Sequence, residues 1–311
     1  MAKQPPMKAW LILGASLLAV SSAGAVFEMM QGPGPLLKAS WRLQATALVL
    51  VPGFIVQWKN ADLELKQRFK KKETLSIIAL SGLFLTLHFG SWVWSLDETT
   101  LTHSLLFVTS HPLVIIVGLW LLGKGANKRE VIGAVIGFTG AAIAILDAGV
   151  DSDVSVFGDF LAFIGAVTVV GYLMAGRVLR KWMPLFLYAF PVTLICAIGL
   201  SIWAWIIEGA SPSLVSGGLF GWAMLAWLPY VAYLAIGPGL VGHTGINGVL
   251  KWIPPLVISV ALVMEPLIGS IIGWSLGLDS LPGFYTWLGG PLMICGALLV
   301  TFEMAKGDEE E

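Results

Sequence analysis

The chain has 311 residues, 57% of them hydrophobic and 12% charged, with a net charge of −1 and a mean hydropathy of +0.85. Soluble domains carry about 25% charged residues, so this composition excludes an ordinary soluble protein, and the balanced charge excludes a nucleic-acid partner. Fourteen tryptophans suit a chain that crosses many membrane–water interfaces.

A helix needs about 20 mostly apolar residues to cross a bilayer. Ten stretches meet that measure, near 9–28, 35–56, 75–96, 102–122, 131–148, 159–176, 185–207, 222–241, 252–277 and 284–302. Short connections rich in Gly, Pro or charge separate them, such as "QGPG", "LDETT", "GKGANKRE" and "GLDSLPG". Backbone polar groups must pair in lipid, which leaves helices or a closed barrel. Barrel strands are about 10 residues long and alternate in polarity, and these runs do neither. The expected fold class is all-α integral membrane, with ten transmembrane helices.

In chain order, the first stretch with Lys3, Lys8 and "AGA" at 23–25 also fits a secretory signal peptide. Cleavage would leave nine spans, and the membrane span is the preferred reading. Lys38 and Arg42 lie inside the second span. Lys38 is expected to pair at the rim with Glu28, and Arg42, about two turns in, is a candidate to face a cavity. The run "KQRFKKKE" at 66–73 fixes topology and has the charge to touch anionic headgroups. His88, Trp92 and Trp94 in the third span suit an aromatic wall for a cation or ring, and interfacial anchoring explains the tryptophans equally well.

The fourth span carries "SHPLVIIVGLWLLG" at 110–123, with His111 and Pro112 in the middle of an apolar run. Imidazole titrates near neutral pH when unperturbed, which suits proton coupling; the alternative is a hydrogen bond to a carbonyl freed by Pro112. The ninth carries "MEPLIGSIIGWSLG" at 264–277, the same frame with Glu265 in the histidine's place. An ionisable group within the bilayer costs about 2.5–3.5 kcal/mol on insertion scales. Glu265 is therefore the leading candidate for a substrate ammonium or a transported proton, against a hydrogen-bonded structural glutamate. Pro112 and Pro266 each remove a helix hydrogen bond and are hinge candidates, or static kinks. Gly133, Gly137, Gly269 and Gly273 form G-xxx-G pairs that read as close helix packing. Cys196 and Cys295 read as buried small hydrophobes, and "GDEEE" as a solvated tail.

Charge in the connections segregates. One set holds Lys3, Lys8, Lys59, Lys66, Arg68, Lys70, Lys71, Lys72, Lys124, Lys128, Arg129, Arg177, Arg180, Lys181, Lys251 and Lys306. The alternate set holds Glu28, Asp97, Glu98, Asp147, Asp151, Asp153, Glu208 and Asp279. The positive-inside rule then places both termini in the cytoplasm; which membrane the chain occupies is left open.

The two halves echo each other. His111-Pro112-Leu113 aligns with Glu265-Pro266-Leu267, and Trp120 to Gly123 with Trp274 to Gly277. Gly133 and Gly140 align with Gly289 and Gly296, His88-Phe89-Gly90 with His243-Thr244-Gly245, and Pro35-Leu36 with Pro184-Leu185. Two sets of five helices begin on opposite sides of the membrane, so the expected domains, 1–148 and 149–311, are inverted repeats. Such repeats are a signature of secondary transporters with a midplane site.

With this arrangement, "GDFLAFIGAVTVVGYLMAGRVLR" at 158–180 and the "MEPLIGSIIGWSLG" segment before a glycine-rich last helix, the chain resembles the drug/metabolite transporter superfamily, closest to its EamA-type branch. The resemblance implies a ten-helix exporter or exchanger of amino acids, metabolites or drugs, with a central cavity between the halves. It also implies a role for Glu265-Pro266 in the ninth helix and for Arg42 in the second, whereas His111 departs from the pattern. Related sugar-phosphate carriers use a basic pair in the later helices; here only Lys251 is present, which argues against a phosphorylated substrate.

No phosphate-binding lysine loop, dinucleotide fingerprint or zinc-spaced cluster occurs, so no enzyme, cofactor or metal is expected. The expected partners are a small-molecule solute and the lipid bilayer, with a homodimer left open. The rival reading is a non-transporting scaffold or receptor built on a transporter fold.

Overall fold

Helices account for every regular element in the computed structural model, which describes residues 5–121, 123, 128–149, 153–249, 252–253, 258 and 261–310. Lys3, Lys124, Lys251 and Asp151 lie outside the described residues, as does the Lys306 side chain. The first apolar rod is α1 (Met7–Ser21) and α2 (Ala23–Met29). Then follow α3 (Pro35–Asn60), α4 (Leu63–Phe69), α5 (Lys72–Glu98), α6 (Leu101–Val108) and α7 (His111–Leu121). Next come α8 (Lys128–Ala144) with a 3-10 turn (Ile145–Gly149), α9 (Val156–Arg180) and α10 (Leu185–Glu208). Last are α11 (Leu228–Leu234), a π-helical segment (Ala235–Thr244), α12 (Gly245–Val249), α13 (Glu265–Ser275) and α14 (Phe284–Glu310).

Among the described residues, seven helical stretches are long and apolar enough to cross a bilayer: Met7–Met29, Pro35–Asn60, Lys72–Glu98, Leu101–Gly118, Lys128–Asp147, Val156–Arg180 and Leu185–Glu208. These coincide with the first seven expected spans. The three later expected spans also carry helix, but in shorter pieces: α11 with the π segment and α12, then α13, then the apolar part of α14, Phe284–Val300. The protein is an integral multi-pass membrane protein. Ile198, Ile206, Leu83 and Trp205 are more than half exposed, the pattern of a bundle whose outward surface meets lipid tails rather than water.

Local chemistry explains where the helices start. Pro35 opens α3, where its missing N–H would lack a partner anyway. The Ser155 hydroxyl accepts from Gly158 N at 3.0 Å to cap α9, and Thr100 accepts from His103 N at 3.3 Å to cap α6. The basic run expected as a loop is partly helix: Asp62 caps α4 through Leu65 N at 2.7 Å. Arg68 of this run lies 4.0 Å from the Trp182 ring centroid, which ties it to the turn after α9.

Two helix pairs frame the bundle. In the first, α8 and α14 run against each other on glycines. A Cβ at Gly140 would lie 2.6 Å from Gly289 O, and one at Gly133 would lie 3.0 Å from Gly296 O. Backbone meets backbone there, which only glycine permits. In the second pair, α3 and α10 cap each other. Glu208, ending α10, accepts from Leu36 N (2.7 Å) and Leu37 N (2.9 Å) at the start of α3. Gln57, near the end of α3, accepts from Phe186 N (2.7 Å) and Leu187 N (3.2 Å) at the start of α10. Each side chain thus satisfies N–H groups that a helix start leaves open.

The expected G-xxx-G contacts take shape as well: Gly137 packs against Leu113, Gly269 against Leu105 and Gly273 against Leu101. Cys196 is buried, whereas Cys295 stands exposed on the outer face of α14, not buried as its apolar neighbours suggest. Being apolar in lipid does not require being inside the bundle.

Candidate functional site: a polar cavity inside the bundle

The fourth and ninth expected spans are both broken, and at matching places. After α6 the chain turns at Thr109 and Ser110, and α7 starts at His111 with Pro112 next. Glu265 starts α13, again with proline in the first turn. Proline is tolerated there because the first N–H groups of a helix have no intrahelical partner. Both hinge candidates therefore open a new helical segment instead of bending a continuous one.

These two helix starts face one cavity of about 70 Å³, lined by Arg42, His88, Trp92, Thr109, His111, Tyr172, His243, Asn247 and Glu265 among apolar side chains. All five site candidates other than the prolines, namely Glu265, His111, Arg42, His88 and Trp92, meet here. Arg42 comes from α3, His88 and Trp92 from α5, His243 from the π segment and Asn247 from α12. A π segment widens the helix and is common at functional sites; here it contains Gly237, Pro238, Gly239 and Gly242.

Arg42 is 1% exposed. Its guanidinium carbon sits 4.5 Å from the Phe89 ring centroid and 5.8 Å from those of Phe27 and Trp92. Among the described residues, its Nε and Nη1, Trp92 Nε1 and His111 Nε2 have no hydrogen-bond partner. His88 is better held: its Nδ1 donates to Gly165 O at 2.9 Å, and its ring stacks on Trp92 at 6.3 Å. Asn247 donates to the Tyr172 hydroxyl at 2.8 Å and to His243 O at 2.9 Å. Trp94, expected beside Trp92, instead points away, donating to Glu98 and packing on Phe157. An i, i+2 pair on a helix cannot face one side.

A smaller void of about 20 Å³ shares Arg42, Tyr172, His243 and Asn247 with the cavity and also reaches Thr244. Thr244 lines in turn an open vestibule of about 960 Å³ among Gln57, Arg177, Arg180, Lys181 and Trp252. A line of voids therefore leads from the basic end of the bundle to Arg42.

Polar bonds link the helices at the acidic end. Lys38 Nζ pairs with Asp97 at 2.6 Å, not with Glu28 as proposed from sequence proximity. His103 Nδ1 donates to Asp159 Oδ2 at 3.0 Å, and its Nε2 meets Thr286 Oγ1 at 2.5 Å. Thr286 donates its hydroxyl and its N–H to Asp147 at 2.5 and 2.7 Å. The chain Asp159–His103–Thr286–Asp147 is complete when both ring nitrogens donate. Asp279 accepts from Thr102 N at 3.0 Å, which ties the loop after α13 to α6. Partial burial holds the Asp279 carboxyl above its ordinary range, opposed by the hydrogen bonds from Thr102 and Ser280 and by the nearby His103 charge.

Of these groups the sequence reading singled out neither His103, Asn247 nor Tyr172. His103 carried a signal, an ionisable residue in an apolar run; the other two carried none.

The EamA-like transporter family matches residues 7–146. The family belongs to the drug/metabolite transporter superfamily, whose members are membrane transporters of small solutes. The matched region contributes Arg42, His88, Trp92, Thr109 and His111, five of the nine lining residues named above. A protein solved by crystallography aligns with 96% of this chain and 98% of its own, at a TM-score of 0.60 and 19% identity. At that identity the likeness is one of fold. No curated protein matches the chain.

Proposed function

We propose that the protein is a secondary transporter, an exporter or exchanger of a small organic metabolite such as an amino acid. Residues 1–148 and 149–311 act as inverted five-helix repeats that rock about the cavity. The observation that carries this reading is the meeting of Arg42 from the first half and Glu265 from the second in one buried cavity, where ionisable groups are costly. The helix contacts agree with it. Gly133 is the sequence counterpart of Gly289, and Gly140 of Gly296. The contacts Gly133–Gly296 and Gly140–Gly289 are then one contact seen twice through a pseudo-twofold axis. The reciprocal caps of Glu208 and Gln57 follow the same logic.

In this reading the basic end faces the cytoplasm and both termini lie there. The voids rising from that end make the conformation inward-open, and the bonds around His103, Asp97 and Asp279 close the outer side. Broken helices leave polar ends at midplane, as transporter sites require, and Pro112 and Pro266 are the points about which their segments swing. Glu265, with His111 across the cavity, carries the coupled proton.

The test is transport in proteoliposomes as a function of pH, for the native chain and Glu265→Gln. Proton coupling through Glu265 predicts that the variant loses uphill transport and its pH dependence. Retention of both removes that role.

A further inference from the structure

We infer that the solute docks by a single carboxylate on Arg42, with Trp92 Nε1 and His111 Nε2 as additional donors and a small apolar body filling the rest of the cavity. This rests on the transporter reading of the same site and names the chemistry it accepts.

The argument starts from Arg42. A guanidinium that is 1% exposed has left water, and among the described residues no carboxylate forms an ion pair with it. The rings of Phe27, Phe89 and Trp92 attract the cation. A ring attraction does not supply the oxygen acceptors that in-plane N–H groups require. Nε and Nη1 are left without acceptors. The other unpartnered polar atoms on this wall, Trp92 Nε1 and His111 Nε2, are also nitrogens. Arginine and indole nitrogens only donate, and imidazole Nε2 donates in one tautomer. Four such atoms around one cavity call for a partner that is all acceptor, which is an anion and not an amine.

The anion is further narrowed by what surrounds it. A planar two-oxygen group matches the guanidinium fork. Arg42 is the one Lys or Arg side chain among the described residues lining the cavity, and Glu265 lines the same space. A doubly charged phosphate or dicarboxylate would lack a second cation and would meet Glu265. The remaining wall, including Val108, Val169, Leu173 and Leu262, is apolar, and the volume of about 70 Å³ admits a body of few atoms. His88 and Asn247 already spend a donor inside the protein, so they add orientation without changing the charge the site selects.

The experiment is calorimetric binding to the full chain in detergent, using propionate, propionamide, propylamine, inorganic phosphate and succinate. Propionate is expected to bind, with the equally sized amide and amine and both dianions at least about tenfold weaker. Arg42→Gln is expected to abolish propionate binding. Trp92→Phe, which keeps the ring and removes its donor, weakens it by about three- to tenfold and serves if the arginine variant fails to fold. Binding of the amine, amide or phosphate as tightly as propionate overturns the inference, as does unchanged affinity in both variants. Propionate binding without solute flux in proteoliposomes leaves the carboxylate site standing and removes transport. Flux of an amine or neutral solute with propionate inert does the reverse.

Discussion

Replacing Gly140 by alanine adds one methyl group where α8 meets α14. That Cβ would lie 2.6 Å from both Gly289 O and Met293 N, and ordinary contact begins near 3.4 Å. Both obstacles are backbone, so no side chain can rotate aside and the helices must part by about 0.8 Å. Overpacking of this kind costs about 1–3 kcal/mol, offset by about 1 kcal/mol of improved helix propensity. The net loss is up to about 2 kcal/mol, or as much as roughly 6 °C in Tm. The control is Gly14→Ala, where nothing lies within 4 Å of the added Cβ and stability stays level or rises by about 0.4–1 kcal/mol. Thermal unfolding in one detergent, followed by circular dichroism, measures both. Once Gly140→Ala has parted the helices, Gly289→Ala costs less, so the double variant falls short of the sum by about 0.5 kcal/mol or more. A Gly140→Ala protein as stable as Gly14→Ala refutes the backbone-contact argument.

Three further outcomes are expected. Gln57→Ala and Glu208→Ala each remove a cap and cost about 0.5–2 kcal/mol, with the charged Glu208 the larger; hydrogen exchange should quicken at Phe186 and Leu187 in the first and at Leu36 and Leu37 in the second. Because burial raises the Asp279 carboxyl in the folded protein, its contribution is present at low pH and lost as pH rises through the folded value. The Tm gap between the native chain and Asp279→Ala should therefore narrow from pH 4 to pH 7, and a widening gap contradicts the assignment. His103→Phe strips a donor from Asp159, which keeps the Thr99 hydroxyl at 3.1 Å, and one from Thr286, which still donates to Asp147, so the cost is about 1–3 kcal/mol in all. Exchange over residues 99–105 and 279–286 should then rise while the Gln57 cap at the basic end stays protected.

Charge made part of the site legible. Arg42, His111 and Glu265 stand out because ionisable residues are scarce in apolar runs, and the repeat tied His111 to Glu265 before any geometry. The glycine pairs were legible for a similar reason, since small residues at fixed spacing have few uses in a membrane helix. Other features had no local signal. The fourth span is an exception: Thr109 to Pro112 interrupt its apolar run and Pro112 marked it as a hinge or kink candidate, although a fresh helix start there depends on tertiary packing. Lys38 chose Asp97, 59 positions away, over the nearer Glu28, because α5 ends beside the start of α3. Asp147 counted only as loop charge, and Asp159 carried no reading of its own, until His103 and Thr286 were placed between them. Tyr172 and Asn247 are neutral, and only packing put them in the cavity. The π segment did leave a trace, "IGPGLVG", whose glycines and proline weaken an ordinary helix.

The central claim is that a solute crosses the membrane through the cavity holding Arg42 and Glu265. Solute counterflow in proteoliposomes tests it most directly, with labelled organic acids, amino acids, sugars and amines, for the native chain and for Thr109→Trp, which fills the cavity. The account predicts uptake of one class that depends on unlabelled solute of that class trapped inside, and its loss in the tryptophan variant. Fluxes equal to protein-free liposomes for every class, or a flux that survives the filled cavity, would contradict it.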